Sequence, residues 1–293
     1  MSTAHESHDA SVDAKSGKTT TGHEWDGIRE LNTPLPRWWL WTFYATIVWA
    51  LAYWVVYPAW PLISSSTSGV LGWHSRTAVE AQLADLAQLR ATSSARLNAS
   101  SLVEIERSPE LLSLARAEGK VAFADNCAPC HGAGGGGAKG YPNLNDDDWL
   151  WGGSLAQIQA TITHGIRSGD EKGHQGVMTP FAGVLSRAQM SDAADYVRSL
   201  AGLVPANDPG AQRGAVVFKA NCAVCHGEDG KGKLDLGSKN LTDNIWLYGG
   251  DKATIMQTIA QGRGGVMPAW GTRLSPSTIK ALTVYVHTLG GGQ

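Results

Sequence analysis

Cys127-Ala128-Pro129-Cys130-His131 and Cys222-Ala223-Val224-Cys225-His226 are the two stretches of this chain whose residue types and spacing can do chemistry. Two thiols three residues apart can add to the two vinyl groups of a haem, and the histidine that follows can bind the iron. This is the c-type haem attachment pattern. Each copy is closed by a glycine, and the two together use all four cysteines of the chain. A four-cysteine, two-histidine zinc site or a thioredoxin-like redox pair would draw on similar residues. Neither accounts for the methionines that follow 51 and 45 residues after the first cysteine of each motif: Met178 in Val-Met-Thr-Pro-Phe and Met267 in Val-Met-Pro-Ala-Trp.

A thioether opposite the histidine favours Fe(II) and raises the reduction potential, which makes a His/Met site an electron carrier. Met178 and Met267 are therefore the expected axial ligands, in loops stiffened by Pro180 and Pro268. Met190 and Met256 fall on helical patterns and read as core. His164 and His174 are rival sixth ligands for the first haem, each read rather as a surface histidine or a neighbour of the site. The expected cofactors are two covalently bound haem c groups. Cys127, Cys130 and Cys222, Cys225 attach them, and His131, Met178, His226 and Met267 bind the irons; no residue is assigned a catalytic role. Pairing Met178 with the first motif and Met267 with the second is the simplest arrangement, although the spacing also permits two facing domains to exchange ligands.

The elements that must position these residues come as an internal repeat. Gly119-Lys-Val-Ala-Phe-Ala-Asp-Asn-Cys aligns with Gly214-Ala-Val-Val-Phe-Lys-Ala-Asn-Cys, and Trp149-Leu-Trp-Gly-Gly recurs as Trp246-Leu-Tyr-Gly-Gly. Two copies mean two similar domains rather than a solenoid. In each, a first helix runs into the attachment motif. A second starts from Ser154 or Asp251 as N-cap and turns Leu155, Ile158 and Ile162, or Ile255 and Ile259, inward. A last helix starts at Ser186 with Gln189 completing a capping box, or at Ser275 with Pro276 in the first helical position. It carries Met190, Ala194, Val197 and Leu200, or Ile279, Leu282, Val286 and Leu289. A domain of fewer than about 100 residues is marginal on its own core, and a buried porphyrin would supply the missing apolar volume. The fold expected is mainly α: one N-terminal transmembrane helix followed by two tandem class I cytochrome c domains, 114–204 and 205–293.

Upstream, residues 1–22 are poor in large apolar side chains and read as a disordered cytoplasmic tail; His5 and His8 in it, and His23 just after it, read as solvated rather than as a metal site. Trp38 to Tyr57 is twenty residues without a charge, crowded with Trp and Tyr at its ends and stopped by Pro58 and Pro61. At about 1.5 Å per residue it spans a bilayer core of roughly 30 Å. A cleaved signal peptide would need a basic start, a shorter apolar run and a small-residue cleavage site. Lys15, Lys18, Arg29 and Arg37 precede the helix, and only Arg76 lies within the twenty residues that follow. The positive-inside rule therefore puts segment 23–37 in the cytoplasm. Covalent haem attachment outside the bacterial inner membrane requires the same orientation. Residues 58–113 read as a periplasmic linker, with Ser64 to Gly69 as linker sequence and a helix from His74 to Leu89 whose face Val79, Leu83, Leu86 and Leu89 covers a partner, covers the haem domains or belongs to a plain spacer. A net charge of −2 over 293 residues speaks against a nucleic-acid partner.

These pieces together resemble a known family. Glu24-Trp25-Asp26-Gly27-Ile28 and Pro34-Leu35-Pro36-Arg37-Trp38-Trp39 before the anchor, Tyr57-Pro58-Ala59-Trp60-Pro61 and Gly69-Val70-Leu71-Gly72-Trp73 after it, and two cytochrome c domains are similar to the membrane-anchored dihaem P subunit of cbb3-type cytochrome c oxidases. The resemblance covers residues 22 to 290. It implies an electron-transfer subunit of a bacterial terminal oxidase, not an enzyme by itself. Electrons would come from a periplasmic cytochrome c donor and pass, with a monohaem cytochrome c subunit, to a catalytic haem-copper subunit that reduces oxygen to water.

Other classes compete. A dihaem peroxidase needs one displaceable sixth ligand, which two loop methionines oppose. A membrane cytochrome serving a dehydrogenase differs only in its partner, and a haem-based sensor would need an output domain. Asp146-Asp147-Asp148 is either a docking patch for a basic cytochrome or a solvated acidic run starting a helix.

Overall fold

The structure is a computed structural model that describes residues 11–291, so the expectation for His5, His8 and the rest of 1–10 lies outside the described residues. The chain divides into two compact units, up to Ala87 and from Gln88 onward.

The first unit opens with a hairpin of β1 (Thr20–Trp25) and β2 (Ile28–Leu31). Asp26 and Gly27 both have positive φ (49° and 83°), as a two-residue hairpin turn that matches strand twist requires. This corrects the disordered reading of 11–22: β1 starts inside that stretch, Val12 bridges to Thr19, and Thr20 is buried. Composition alone hides this, because the ladder is made by main-chain groups that every residue carries.

Helix α1 (Arg37–Val56) is 20 residues long with a mean hydropathy of 1.4 and no buried residue, long and apolar enough to cross a membrane. It ends where Tyr57 turns extended before Pro58. The chain then folds back, and the N–H groups of Val70 and Leu71 donate to the carbonyls of Val55 and Val56, capping the helix end. Gly69, at φ +67°, lies directly on Val56. Residues 64–69, read as linker, are part of this return loop: Thr67 Oγ1 accepts from the N–H groups of Ala59 and Trp60.

Helix α2 (Ser75–Ala99) outruns the expected 74–89 by ten residues. Val79, Leu83, Leu86 and Leu89 are exposed, whereas Leu97 near its end is fully buried. In the second unit Leu97 joins Ile105 of α3 (Leu102–Arg107) and Ala115 of α4 (Pro109–Asn126) in a small cluster with Ala281 and Val284.

The remaining elements are α5 (Ala128–His131), α6 (Leu155–His164), α7 (Arg187–Leu200), α8 (Pro209–Asn221), α9 (Ala223–His226), α10 (Lys252–Gln261) and α11 (Pro276–His287). Their caps are those expected: Ser154 and Ser186 each form a capping box with Gln157 and Gln189, Asp251 caps α10, and Ser275 precedes Pro276. How they pair is not what the repeats suggest. Helix α4 packs against α11 and α8 against α7. Gly119 of α4 sits so close to Ala281 and Tyr285 of α11 that a Cβ there would overlap the backbone, and Gly214 of α8 meets Asp192 and Tyr196 of α7 in the same way. The fully buried Phe123 stacks obliquely on Tyr285 at 5.4 Å, and its counterpart Phe218 on Tyr196 at 5.1 Å. Each lobe is therefore built from the first two thirds of one repeat and the last third of the other.

Candidate functional site

Each attachment motif begins where a long helix stops. Cys127 and Cys222 are the C-caps of α4 and α8, and the next four residues form the single turns α5 and α9, which bring the cysteines and histidine onto one short arc. Gly132 and Gly227, at φ +80° and +78°, then let the chain leave that turn. His131 Nδ1 lies 3.0 Å from the Pro142 carbonyl and His226 Nδ1 3.0 Å from that of Lys239. A carbonyl only accepts, so Nδ1 carries the proton and Nε2 keeps its lone pair for a metal. Burial pulls both imidazoles below the ordinary histidine value, which keeps them neutral, as ligation demands.

Cys127 and Cys222 have thiols pushed up to about 11 by burial, the second cysteine of each motif adding to the shift. A dithiol redox pair needs a low thiolate pKa, so that reading loses its support. The cysteines also fall in two separate apolar clusters, Cys127 in one and Cys222 in the other, which removes the four-cysteine zinc site.

The methionines are not grouped domain by domain in the structure. Cys127 shares its cluster with Phe123, Ile158, Ile162, Trp149 and Met267; Cys222 shares its own with Phe218, Ile255, Ile259, Trp246 and Met178. Main-chain bonds lock this arrangement. Met267 and Ile166 exchange N–H···O bonds of 3.0 and 2.9 Å, and Met178 and Arg263 exchange bonds of 2.9 and 3.0 Å. Gly165 and Gly262, which end α6 and α10 at φ +71°, press against the loops of Met267 and Met178 respectively, with no room for a Cβ. Spacing could not reveal the crossing because both repeats offer the same apolar faces. The short link from Leu200 to Pro209 was the available clue, since consecutive elements usually pack together.

Met190 and Met256 pack against the core as expected. His164 Nδ1 lies 3.0 Å from Asp170, while His174 stacks on Trp151 at 4.1 Å with its Nε2 3.0 Å from Thr161 Oγ1.

Family models divide the chain among three matches. Residues 17–64 match the N-terminal domain of cytochrome oxidase-cbb3, FixP; residues 116–201 match cytochrome c; residues 209–286 match cytochrome C oxidase, cbb3-type, subunit III. The chain is 75% identical, over the whole of both proteins, to the cbb3-type cytochrome c oxidase subunit FixP of Azorhizobium caulinodans. It belongs to the FixP/CcoP family of cbb3-type oxidase subunits. Relatives similar to it include FixP of Bradyrhizobium diazoefficiens, 60% identical over 96% of this chain and 98% of that one, and CcoP of Cereibacter sphaeroides, 48% identical over 94% and 95%.

Two cytochrome c domains in a FixP/CcoP subunit imply two covalently bound haem c groups and a part in respiratory electron transfer. The residues present fit such a group. Each cluster holds the first cysteine of one motif and one thioether, and the second, exposed cysteine and the neutral imidazole follow in the same short turn. In the first, the Trp149 indole N–H is buried without an acceptor among the described residues, and a cofactor bearing carboxylates would provide one.

The acidic run is not a helix start in this FixP/CcoP chain, since α6 begins only at Leu155. Asp148 pairs instead with Lys239 at 2.7 Å, both side chains largely buried, and Lys239 also pairs with Asp243 at 3.0 Å. The pair ties the loop before α6 to the strip that carries the His226 acceptor. Burial outweighs Lys239 and holds Asp148 above the usual carboxylate range. Sequence reasoning missed this ion pair, because nothing local links positions 148 and 239.

Proposed function

We propose that this chain is the membrane-anchored electron carrier of its oxidase, with the oxygen-reducing site on another subunit. The observation that carries this reading is that each Cys-x-x-Cys-His motif shares an apolar cluster with one methionine loop of the other repeat. Cys127 and Cys130 would attach the first haem, and His131 and Met267 would bind its iron. Cys222 and Cys225 would attach the second, and His226 and Met178 would bind its iron. A haem so held stores and releases one electron. The chain's own residues do the rest. Pro142 and Lys239 fix the two imidazole rings through Nδ1, the exchanged main-chain bonds fix the thioethers, and the apolar walls penalise the extra charge of an oxidised site, raising its potential. With His and Met both bound, the iron would keep no open position for oxygen.

The lobes follow the crossed packing rather than the division at 204/205. The N-terminal segment through Arg37 lies in the cytoplasm, α1 crosses the inner membrane once, and the haem lobes are periplasmic, consistent with the lysines and arginines that precede α1. The partners are the catalytic haem-copper subunit, a monohaem cytochrome c subunit and a soluble periplasmic donor. The test is direct: the purified, reduced chain reduces a cytochrome c rapidly and takes up negligible oxygen. Oxygen uptake at the rate of a whole oxidase would overturn the reading.

A further inference from the structure

The loop from Gly165 to Met178 holds twelve intervening residues, whereas its counterpart from Gly262 to Met267 holds four. The extra residues begin with Arg167. Its guanidinium donates from Nε to the carbonyl of Gly265, 2.6 Å away, and from Nη1 to the carbonyl of Gly176. Gly265 stands two residues before Met267, and Gly176 two residues before Met178. One side chain thus holds both methionine loops, with the rigid fork of donors that only arginine supplies.

Three further observations mark the position. Arg167 has a left-handed backbone, φ +50°, which is unfavourable for a residue with a Cβ. Its side chain passes Gly264, where an added Cβ would lie 4.0 Å from the Arg167 Cδ and Nε. Its charge is partly desolvated, which weakens its hold on the proton, and Tyr248 is the one group that offsets this. The symmetry-related residue is Ile166, not Arg167, since Ile166 pairs with Met267 as Arg263 pairs with Met178. Among the described residues the second repeat has no equivalent clamp: the Arg263 side chain turns to Thr258 Oγ1 and lies 4.0 Å over the Tyr248 ring.

We propose that Arg167 is a positioning residue that fixes both axial methionine loops at once, so that the two iron–sulfur bonds are mechanically and electrostatically coupled through a single guanidinium. This rests on Met178 and Met267 being the axial ligands. A fixed positive charge beside both loops disfavours Fe(III) at both sites and raises both potentials. Losing it loosens both thioethers.

The experiment uses the full chain in detergent, comparing wild type with Arg167→Gln, Arg167→Lys and, as control, Arg263→Ala. Imidazole is titrated into the ferric protein while the weak Fe(III)–sulfur absorption at the red end of the visible spectrum is followed, and both potentials are measured. In Arg167→Gln, imidazole should displace methionine at both haems at concentrations at least about tenfold lower, and both potentials should fall. Arg167→Lys, with one compact charge, should restore the potentials more than the imidazole resistance. Arg263→Ala should affect at most the second haem. Both sites unchanged in Arg167→Gln, or a change confined to one haem, overturns the clamp. Absence of the Fe(III)–sulfur absorption from the wild type instead overturns the ligand assignment on which it rests.

Discussion

Replacing Gly119 by alanine tests the crossed packing at its tightest point. Inside an ordinary helix the change stabilises by about 0.5–1 kcal/mol, because glycine has more backbone freedom to lose. In α4 the new methyl group would stand 2.5 Å from Tyr285 Cβ and closer still to the Ala281 carbonyl oxygen. Backbone cannot move aside as a flexible side chain can, so α4 and α11 must separate. Overpacking of this kind costs about 1–3 kcal/mol, which leaves a net loss of up to about 2.5 kcal/mol. For a unit of about 200 residues that lowers the melting temperature by up to about 10 °C. Helix α11 follows the Met267 loop in the chain, so the damage should reach the first haem's thioether. The assay is a thermal melt of the purified chain followed by the Fe(III)–sulfur absorption, in which half of the amplitude should be lost early. Gly214→Ala, with its methyl 2.8 Å from Tyr196 Cβ, should weaken the other half. Gly134, which has open space where a Cβ would go, serves as the control. A melting temperature raised by Gly119→Ala, as an uncrowded helical glycine would give, would refute the α4–α11 contact and the crossing with it.

Met178→Ala and Met267→Ala should each remove about half of the Fe(III)–sulfur absorption; when resonances of the individual haems are resolved by NMR, Met178→Ala should disturb the haem held at Cys222 and Cys225. Disturbance of the haem at Cys127 instead would restore the domain-wise pairing. Lys280 donates to the carbonyls of Leu97, Asn98 and Ser100, so Lys280→Ala should free the end of α2 at a cost of roughly 1–2 kcal/mol and open a protease site near residues 97–101, measurable by limited digestion. Asp148 has its folded pKa raised above the ordinary 3.8, so its contribution is full below that value and is lost as pH rises through the folded pKa. Denaturation curves across the acid range should show that decline in wild type and lack it in Asp148→Asn.

The attachment motifs, the membrane-length helix and the capped starts of α6, α7, α10 and α11 were all legible in the sequence, because each is decided within a few residues. Thiol spacing, an uncharged apolar run and a Ser-x-x-Gln box carry their meaning locally. Several things were decided only in three dimensions. The hairpin at 20–31 and the return loop at 64–71 are held by main-chain hydrogen bonds, to which composition is blind. Asp148 finds Lys239 across ninety residues of chain. Above all, Met178 and Met267 each lie in the apolar cluster of the other repeat's attachment motif. Helices α7 and α11 present equivalent apolar faces, Ala194 and Val197 or Leu282 and Val286, so either fits against either first helix as far as hydrophobic pattern can tell. The choice falls to longer-range terms: the short connection that keeps α7 beside α8, the close approach at Gly119 and Gly214, and the backbone exchanges at Ile166 and Arg263. Repeated sequence specifies the parts of each haem site twice over. It takes the connectivity of the folded chain to say which parts meet.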